Sequence, residues 1–431
     1  KWSDGTPLRA ADFVYSFQRL MLPETAARYA SFLYVIRNAR AVNTGKAPVS
    51  TLGVDAPDPQ TLRIELEHPA AHLTELLTSV GSVAVPRHAI ERHGREWTRP
   101  EHFVSNGAYQ LVAVQPQTYI RVRKNPHFHA ASSVAFDEVV YYPVEDDGTS
   151  FKRFQIGELA VAVRFPADRI DRIRRDFGAQ LRSAPGLGTT MLMLNHRRKP
   201  FDDARVRRAL SLAIERQVLT ERILRRTAVP AFTVVPGSVS RYPQPPIDDS
   251  RRPLPDRQAE ARRLLSAAGY DSRKPLRFTM LYYTESKTRA LAVAMAAMWR
   301  SIGVECELLA QDLGSVISAV RAGNYQVSLY AWFSSFDDPS TFLDLLATKA
   351  RGSLSGYSNS AFDAAFAAAN ALADPVQRYA ALARAEALAM ADQPVIPLFN
   401  NVNQRLVSNR IEGWIDNPRG ANLSRYLRAR G

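Results

Sequence analysis

The chain has 431 residues, 46% hydrophobic and 23% charged, with a formal net charge of +14. That length exceeds one hydrophobic core and predicts two or three domains, while the composition is ordinary for a folded globular protein. No apolar run reaches the roughly 18 residues that cross a bilayer, and Lys1-Trp2-Ser3-Asp4 lacks a following apolar segment, so any export signal is expected upstream.

In chain order, GVDAPDPQTLRIEL (53–66) reads as a hairpin around a D-P-Q-T turn, inside a first ninety residues that form a small α+β unit. His127 and His129 in NPHFHA stand two apart, which on a strand places both on one face; a surface pair is the ordinary reading, a metal site the weaker one. Gly186-Leu187-Gly188 lacks the third glycine and the helix of a dinucleotide site. A helix follows over 205–217, capped by Asp202 or Asp203, and the arginines of RVRRALSLAIERQVLTERILRR (205–226) interleave with its apolar positions. Arginines so dispersed, without an RNA-recognition, zinc-finger or basic-zipper pattern, argue against a nucleic-acid partner and for a solvated basic surface.

PGSVSRYPQPPIDDSRRPLPD (236–256) reads as a Pro-rich surface excursion. Residues 258–268 then form an amphipathic helix with Ala261, Leu264, Leu265 and Ala268 on one face and Gly269 as its stop. LRFTMLYY (276–283) is a strand, 287–301 a helix ending before Gly303, VECELLA (304–310) a strand, 313–322 a helix and YQVSLYAWF (325–333) a strand. This order implies parallel strands with right-handed crossovers, hence an α/β fold. Ligands in such sheets bind beyond the carboxyl ends of strands, so the end of 325–333 is the favoured site. Cys306, the single cysteine, reads as a small buried side chain and permits no intrachain disulfide. Asp338-Pro339 opens a further helix, 359–370 and 375–391 are Ala-rich helices, and VIPLF (395–399) is a strand.

Tyr325, Tyr330, Trp332, Phe333 and Phe336 gather around the end of 325–333. Alternation turns Tyr330 and Trp332 to one side and Phe333 to the other; core packing accounts for one face, and the other can line an apolar pocket. Asp337 and Asp338 are adjacent carboxylates. An acid–base enzyme needs two carboxyls that converge, and neighbours usually diverge, so an enzyme using Asp337 and Asp338 is the alternative to a binding role. No HExxH, GxSxG, Walker loop or CxxC occurs; no metal or cofactor is expected.

WSDGTPLRAADFVYSFQRL (2–20), ARYASFL (27–33), NGAY (106–109), NPHF (125–128), FDDARVRRALSLAIER (201–216), ARRLLSAAGY (261–270), MWRSIGV (298–304), DDPSTFLD (337–344), YSNSAFDAA (357–365) and IPLF (396–399) occur in this order. Across essentially its whole length the chain resembles the oligopeptide- and dipeptide-binding family of ABC-transporter solute-binding proteins. The resemblance implies a bilobed, class II-like periplasmic-binding-protein fold with a small extra α+β domain: an accessory domain over 1–88, the first lobe over 89–188, the second over 189–402, and a return to the first over 403–431. It implies a monomeric receptor, periplasmic or lipid-anchored, that closes over a peptide and delivers it to the transmembrane subunits of a permease. A receptor serving a sensor kinase or chemoreceptor is the rival reading.

The family's peptide lies extended against strand edges, with side chains in hydrated pockets. Carried onto this chain, the ligand residues are Tyr29, Tyr330, Ala331, Trp332, Phe333 and Ser335. Trp332 packs on the ligand, 331–333 supply backbone hydrogen bonds, and Ser335 meets its head group.

Two departures stand out. The first-lobe strands that precede KWSDG in the family are absent from this chain, which would leave strand edges unpaired. At Ser335 the family usually has an aspartate that pairs with the peptide's α-ammonium, and at Leu329 some members have an arginine near the ligand carboxylate. A serine cannot neutralise an ammonium. An unpaired buried charge costs about 3–5 kcal/mol, or roughly two to three powers of ten in affinity. The expected ligand is an N-blocked or modified peptide, or another amphiphilic solute; the counter-reading is that Asp337 reaches the ammonium.

Overall fold

The structure, a computed structural model, describes residues 1–27, 30–246, 249, 251–348 and 354–431. In chain order its strands are β1 Val54–Asp58, β2 Thr61–Ile64, β3 Tyr109–Gln115, β4 Tyr119–Lys124, β5 Glu138–Tyr141, β6 Val161–Ala162, β7 Leu181–Leu194, β8 Ala228–Pro230, β9 Leu276–Tyr283, β10 Val304–Gln311, β11 Val327–Phe333, β12 Val395–Val407, β13 Ile411–Glu412 and β14 Arg428–Ala429.

The expected β-α-β-α-β run is present: β10 and β11 both lie parallel to β9. The helices between them are Ser286–Arg300 and Leu313–Ala322, and Gly303 and Gly323 stop them with φ of +82° and +72°. β7 joins β11 antiparallel, and β12 joins β7, giving the order β10-β9-β11-β7-β12-β6 with β8 beside β12. Strand alternation sends Leu192, Leu194, Met280, Val327 and Leu329 to one core and Met191, Met193, Leu281 and Val395 to another. The first core is covered by helices Ala204–Leu212, Leu254–Ala267 and Ser286–Arg300, the second by Leu313–Ala322, Ser360–Asn370 and Pro375–Ala391. A sheet buried on both faces requires this three-layer arrangement.

β7 and β12 are long because they serve two parts of the molecule. Val395 pairs with Met193 in the second lobe, while Leu406 pairs with Leu181 and with Ala162 of β6. The register slips between Pro397 and Phe399 and again between Asn400 and Val402; such bulges bend a strand locally. The β3-β4-β5 sheet and the cluster of Phe151, Phe154, Ile173 and Leu406 belong to the other side of this crossing. The hairpin β1–β2 and the helix Ala10–Met21 enclose a separate N-terminal core.

Several expectations change. The helix of 205–217 ends at Leu212 and is followed by a π-helical turn over Val218–Ile223. Asp203 is its cap, accepting from the Arg205 N–H at 2.8 Å. Arg207, Arg216 and Arg257 are buried, not solvated. Arg216 donates to the carbonyls of Ala231 and Pro397, both at 2.8 Å, and Arg257 to that of Ile214 at 3.0 Å. Arg257 thus satisfies carbonyls at the end of the broken helix, and Arg216 satisfies carbonyls beside β8 and on β12. The Pro-rich 236–256 stretch is no mere surface excursion, because Val239 and Tyr242 are buried in the second core. VIPLF is the start of a strand of 13 residues. His127 and His129 lie in a turn, not on a strand, and among the described residues no His/Cys/Asp/Glu cluster could hold a metal. Cys306 is partly buried on β10, and burial pushes its thiol up to about 12, so it is protonated and inert at pH 7.

Candidate ligand-binding cleft

β11 carries the site. It pairs with β7 along its full length, from Val327↔Leu194 to Phe333↔Gly188. With β9 it pairs only at Val327 and Ser328. From Leu329 to Phe333, therefore, the edge of β11 that faces away from β7 has no strand partner among the described residues. An unpartnered strand edge offers backbone N–H and C=O groups to an extended chain.

Tyr330 and Trp332 lie half-buried against the second core, as alternation predicts. The Trp332 Nε1 is buried without a hydrogen-bond partner among the described residues, and buried indole N–H groups normally have one. Ala331 and Phe333 face the other way, and Phe333 is 60% exposed. Opposite them on β7 are Thr190 and Gly188. A Cβ on Gly188 would stand 2.5 Å from the Phe333 ring, so the glycine is what lets that ring lie flat on β7. Ser335 is exposed beyond the strand. Tyr29 lies outside the described residues. Leu329 is buried in the first core, so an arginine could not stand there without repacking.

The loop after β11 is held from both sides. Ser334 donates its N–H to the Leu187 carbonyl at 2.9 Å. Phe336, 1% exposed, does not surround the strand end as expected: it enters the N-terminal core and meets Phe32 edge to face at 5.5 Å. The carboxylates diverge. Asp337, half-buried, accepts from the Ser240 N–H at 3.2 Å. Asp338 caps the helix Ser340–Leu343 through the Ser340 N–H at 2.9 Å, but its main partner is Arg378 on the helix Pro375–Ala391. Burial works to raise the Asp338 carboxyl; hydrogen bonds and charge from Arg378 overcome this and hold it below the usual range. Both Asp338 and Arg378 are thereby occupied, which removes the convergent pair that an acid–base reading needs.

Sequence reasoning missed a polar network beneath the cleft. Asn400 donates to Thr189 Oγ1 at 2.9 Å, and Thr189 donates to the Val234 carbonyl at 2.8 Å. The N–H groups of Val234 and Val235 donate to Glu386 Oε1 at 2.7 and 2.9 Å, and the Tyr242 hydroxyl to Oε2 at 2.7 Å. Burial pushes Glu386 up to about 7 against these three donors. Thr190 donates to Asn401 Oδ1 at 3.2 Å beside the Ala331 face. The only sequence signal was the polar run NNVN after VIPLF.

A two-lobed α/β scaffold crossed by paired strands, with an open strand edge beside aromatic side chains, is the architecture of a solute-binding protein. The chain belongs to the bacterial extracellular solute-binding proteins, family 5: the model described as the middle region of that family matches residues 1–353. It is 34% identical over 431 residues to the periplasmic murein peptide-binding protein MppA of Escherichia coli K12, covering 99% of this chain and 80% of that protein. It is 32% identical to the probable deoxycholate-binding periplasmic protein YgiS of the same organism, with the same coverage. Among solved structures, the E. coli murein tripeptide-binding protein MppA superposes with a TM-score of 0.90 at 33% identity, over 100% of this chain and 85% of that one. Haemophilus influenzae OppA in complex with RPPGFSPFR gives 0.87 at 29% identity, again over 100% and 85%.

Proposed function

We propose that this chain is the receptor of an ABC importer that binds a peptide or peptide-like solute along the open edge of β11 and hands it to a membrane permease, from a periplasmic or lipid-anchored position. The observation that carries the reading is the unpartnered edge Leu329–Phe333 beside the unsatisfied Trp332 indole. An extended backbone pairs with Ala331–Phe333, the Trp332 N–H donates to a ligand oxygen, and the ligand's head group reaches Ser335. Backbone pairing reads little sequence, so breadth of side chain is expected.

The division into 1–88, 89–188, 189–402 and 403–431 places both lobe boundaries on the β7–β12 pair, around its irregular register at Asn400 and Val402. Closure of the lobes is assigned to bending there. The ligand is N-blocked, modified or a non-peptide amphiphile. Ser335 supplies no charge, and Asp338 is taken by Arg378. The relative named for probable deoxycholate binding supports a family able to take non-peptide solutes.

Mass spectrometry of ligand released from freshly purified protein, paired with thermal shifts, tests this. Ligand binding raises apparent stability by mass action. N-acetylated peptides or the co-purified solute should raise the melting temperature, and free peptides of the same sequence should not. Stabilisation by free peptides alone returns the ammonium to a nearby carboxylate, with Asp337 the first to substitute; no stabilisation by any peptide or co-purified solute overturns the peptide reading.

A further inference from the structure

Between the N-terminal unit and the second lobe lies a cavity of about 580 Å³, ample for a small ligand. None of Tyr330, Ala331, Trp332, Phe333 or Ser335 lines it. Its walls are aromatic. Phe32 and Phe336 form one corner, and Phe366, stacked on Phe362 at 5.6 Å, forms another. Tyr34 holds the Arg40 guanidinium 5.3 Å from its ring centre.

Two of the residues lining it have side-chain polar atoms without a partner among the described residues. The Asp344 carboxylate has no hydrogen-bond or ion-pair partner there. Burial raises its carboxyl above the usual range, and Arg40 opposes this. His72 is 8% exposed, and its Nδ1 is buried without a partner among the described residues. Burial pushes His72 down to about 4, so the ring is neutral at pH 7 and one nitrogen can accept a hydrogen bond. The formal charges of the lining are Asp344 and Glu67 against Arg40. Glu67 already accepts from the Asn38 N–H at 2.6 Å, which leaves Asp344 as the unused charge.

We propose that this cavity is a second binding site, separate from the cleft, that takes a small organic cation: an ammonium group on an apolar body. The ammonium pairs with Asp344, while the body packs on Phe32, Phe336 and Phe366. Ring faces attract cations, and a partly buried carboxylate with no ion pair of its own among the described residues gains from one. An anion would meet an excess of negative charge, and an uncharged apolar solute would leave the Asp344 charge without a partner.

The test is calorimetric titration of the full chain with phenethylammonium, with phenylacetate as the anionic control, on the wild type and on Asp344→Asn, Phe366→Leu and Trp332→Ala. The expected result is one equivalent bound by the wild type and by Trp332→Ala with equal affinity. Asp344→Asn, which removes only an unpaired charge, should bind at least about tenfold more weakly, and Phe366→Leu, which keeps the charge, should also bind more weakly. Binding lost in Trp332→Ala but kept in Asp344→Asn would put the cation in the cleft and overturn the proposal. So would equal binding of phenylacetate, or no binding of phenethylammonium at millimolar concentration.

Discussion

Arg378 closes on Asp338 with two hydrogen bonds, 2.6 Å to Oδ2 and 2.9 Å to Oδ1, and solvent reaches neither side chain. The pair ties the loop that follows β11 to the helix Pro375–Ala391. Arg378→Ala leaves a carboxylate buried without a counter-charge and should cost about 3–5 kcal/mol, read by denaturant unfolding. The double variant Asp338→Leu/Arg378→Met should recover most of that loss, because it buries no charge. Because the Asp338 carboxyl is held below its unfolded value, the pair's contribution is present at neutral pH and fades as pH falls through that lowered value.

Glu386 runs the other way. Its folded carboxyl titrates near 7 against an ordinary 4.5, so the folded state holds the extra proton between those values. Stability from this group is fully present below about 4.5 and falls as pH rises to 7, by on the order of 3 kcal/mol. His72 and His196, both pushed down from 6.5 to about 4 by burial, oppose this by losing stability as pH falls over that range. The comparison that isolates Glu386 is therefore Glu386→Gln against the wild type. Melting temperatures from pH 4.5 to 7 should show the variant gaining relative to the wild type as pH rises, and parallel curves would reject the assignment.

Ser335→Asp should create the charge that the strand end lacks. Free peptides should then bind more tightly by roughly two to three powers of ten, with N-acetylated copies unchanged or weakened. Titration with a matched pair of peptides reads this directly. If the gain is absent and Asp337→Asn abolishes free-peptide binding, Asp337 is the anchor.

Gly188→Ala should displace Phe333. The added Cβ would fall 2.5 Å from the ring, and Phe333 is exposed enough to swing away. A stability loss within about 1–3 kcal/mol is expected, together with a larger change in ligand affinity than Gly237→Ala gives, since a Cβ at Gly237 meets nothing. Equal effects at the two positions would separate Phe333 from ligand binding.

Much of the second lobe was legible. Strands 276–283 and 304–311 and the helices around them fall within one or two residues of their sequence signals, because alternating strand residues, apolar helix faces and glycine stops are local patterns. Asp203 was legible as a cap for the same local reason. β7 was not read as a strand, and β12 was read as five residues, since the far half of each is polar, and in β7 also carries proline and glycine. The buried arginines were invisible: Arg378 sits in an Ala-rich helix like any solvent-facing cation, and its partner is 40 residues away. The open edge of β11 arises because β9 pairs with only its first two residues, and no local pattern records where a neighbouring strand stops pairing.

The loop after β11 is seated at Phe336 in one core and at Asp338 in another, with Ser335 standing free just before them. If the solute's head group meets Ser335, as proposed, position 335 is a socket framed by Phe336 and Asp338. Swapping the exposed side chain there disturbs neither anchor, so ligand preference could then drift between charged, polar and apolar head groups without a toll on folding. In a lineage of duplicated receptors, that is the kind of place where diversification begins.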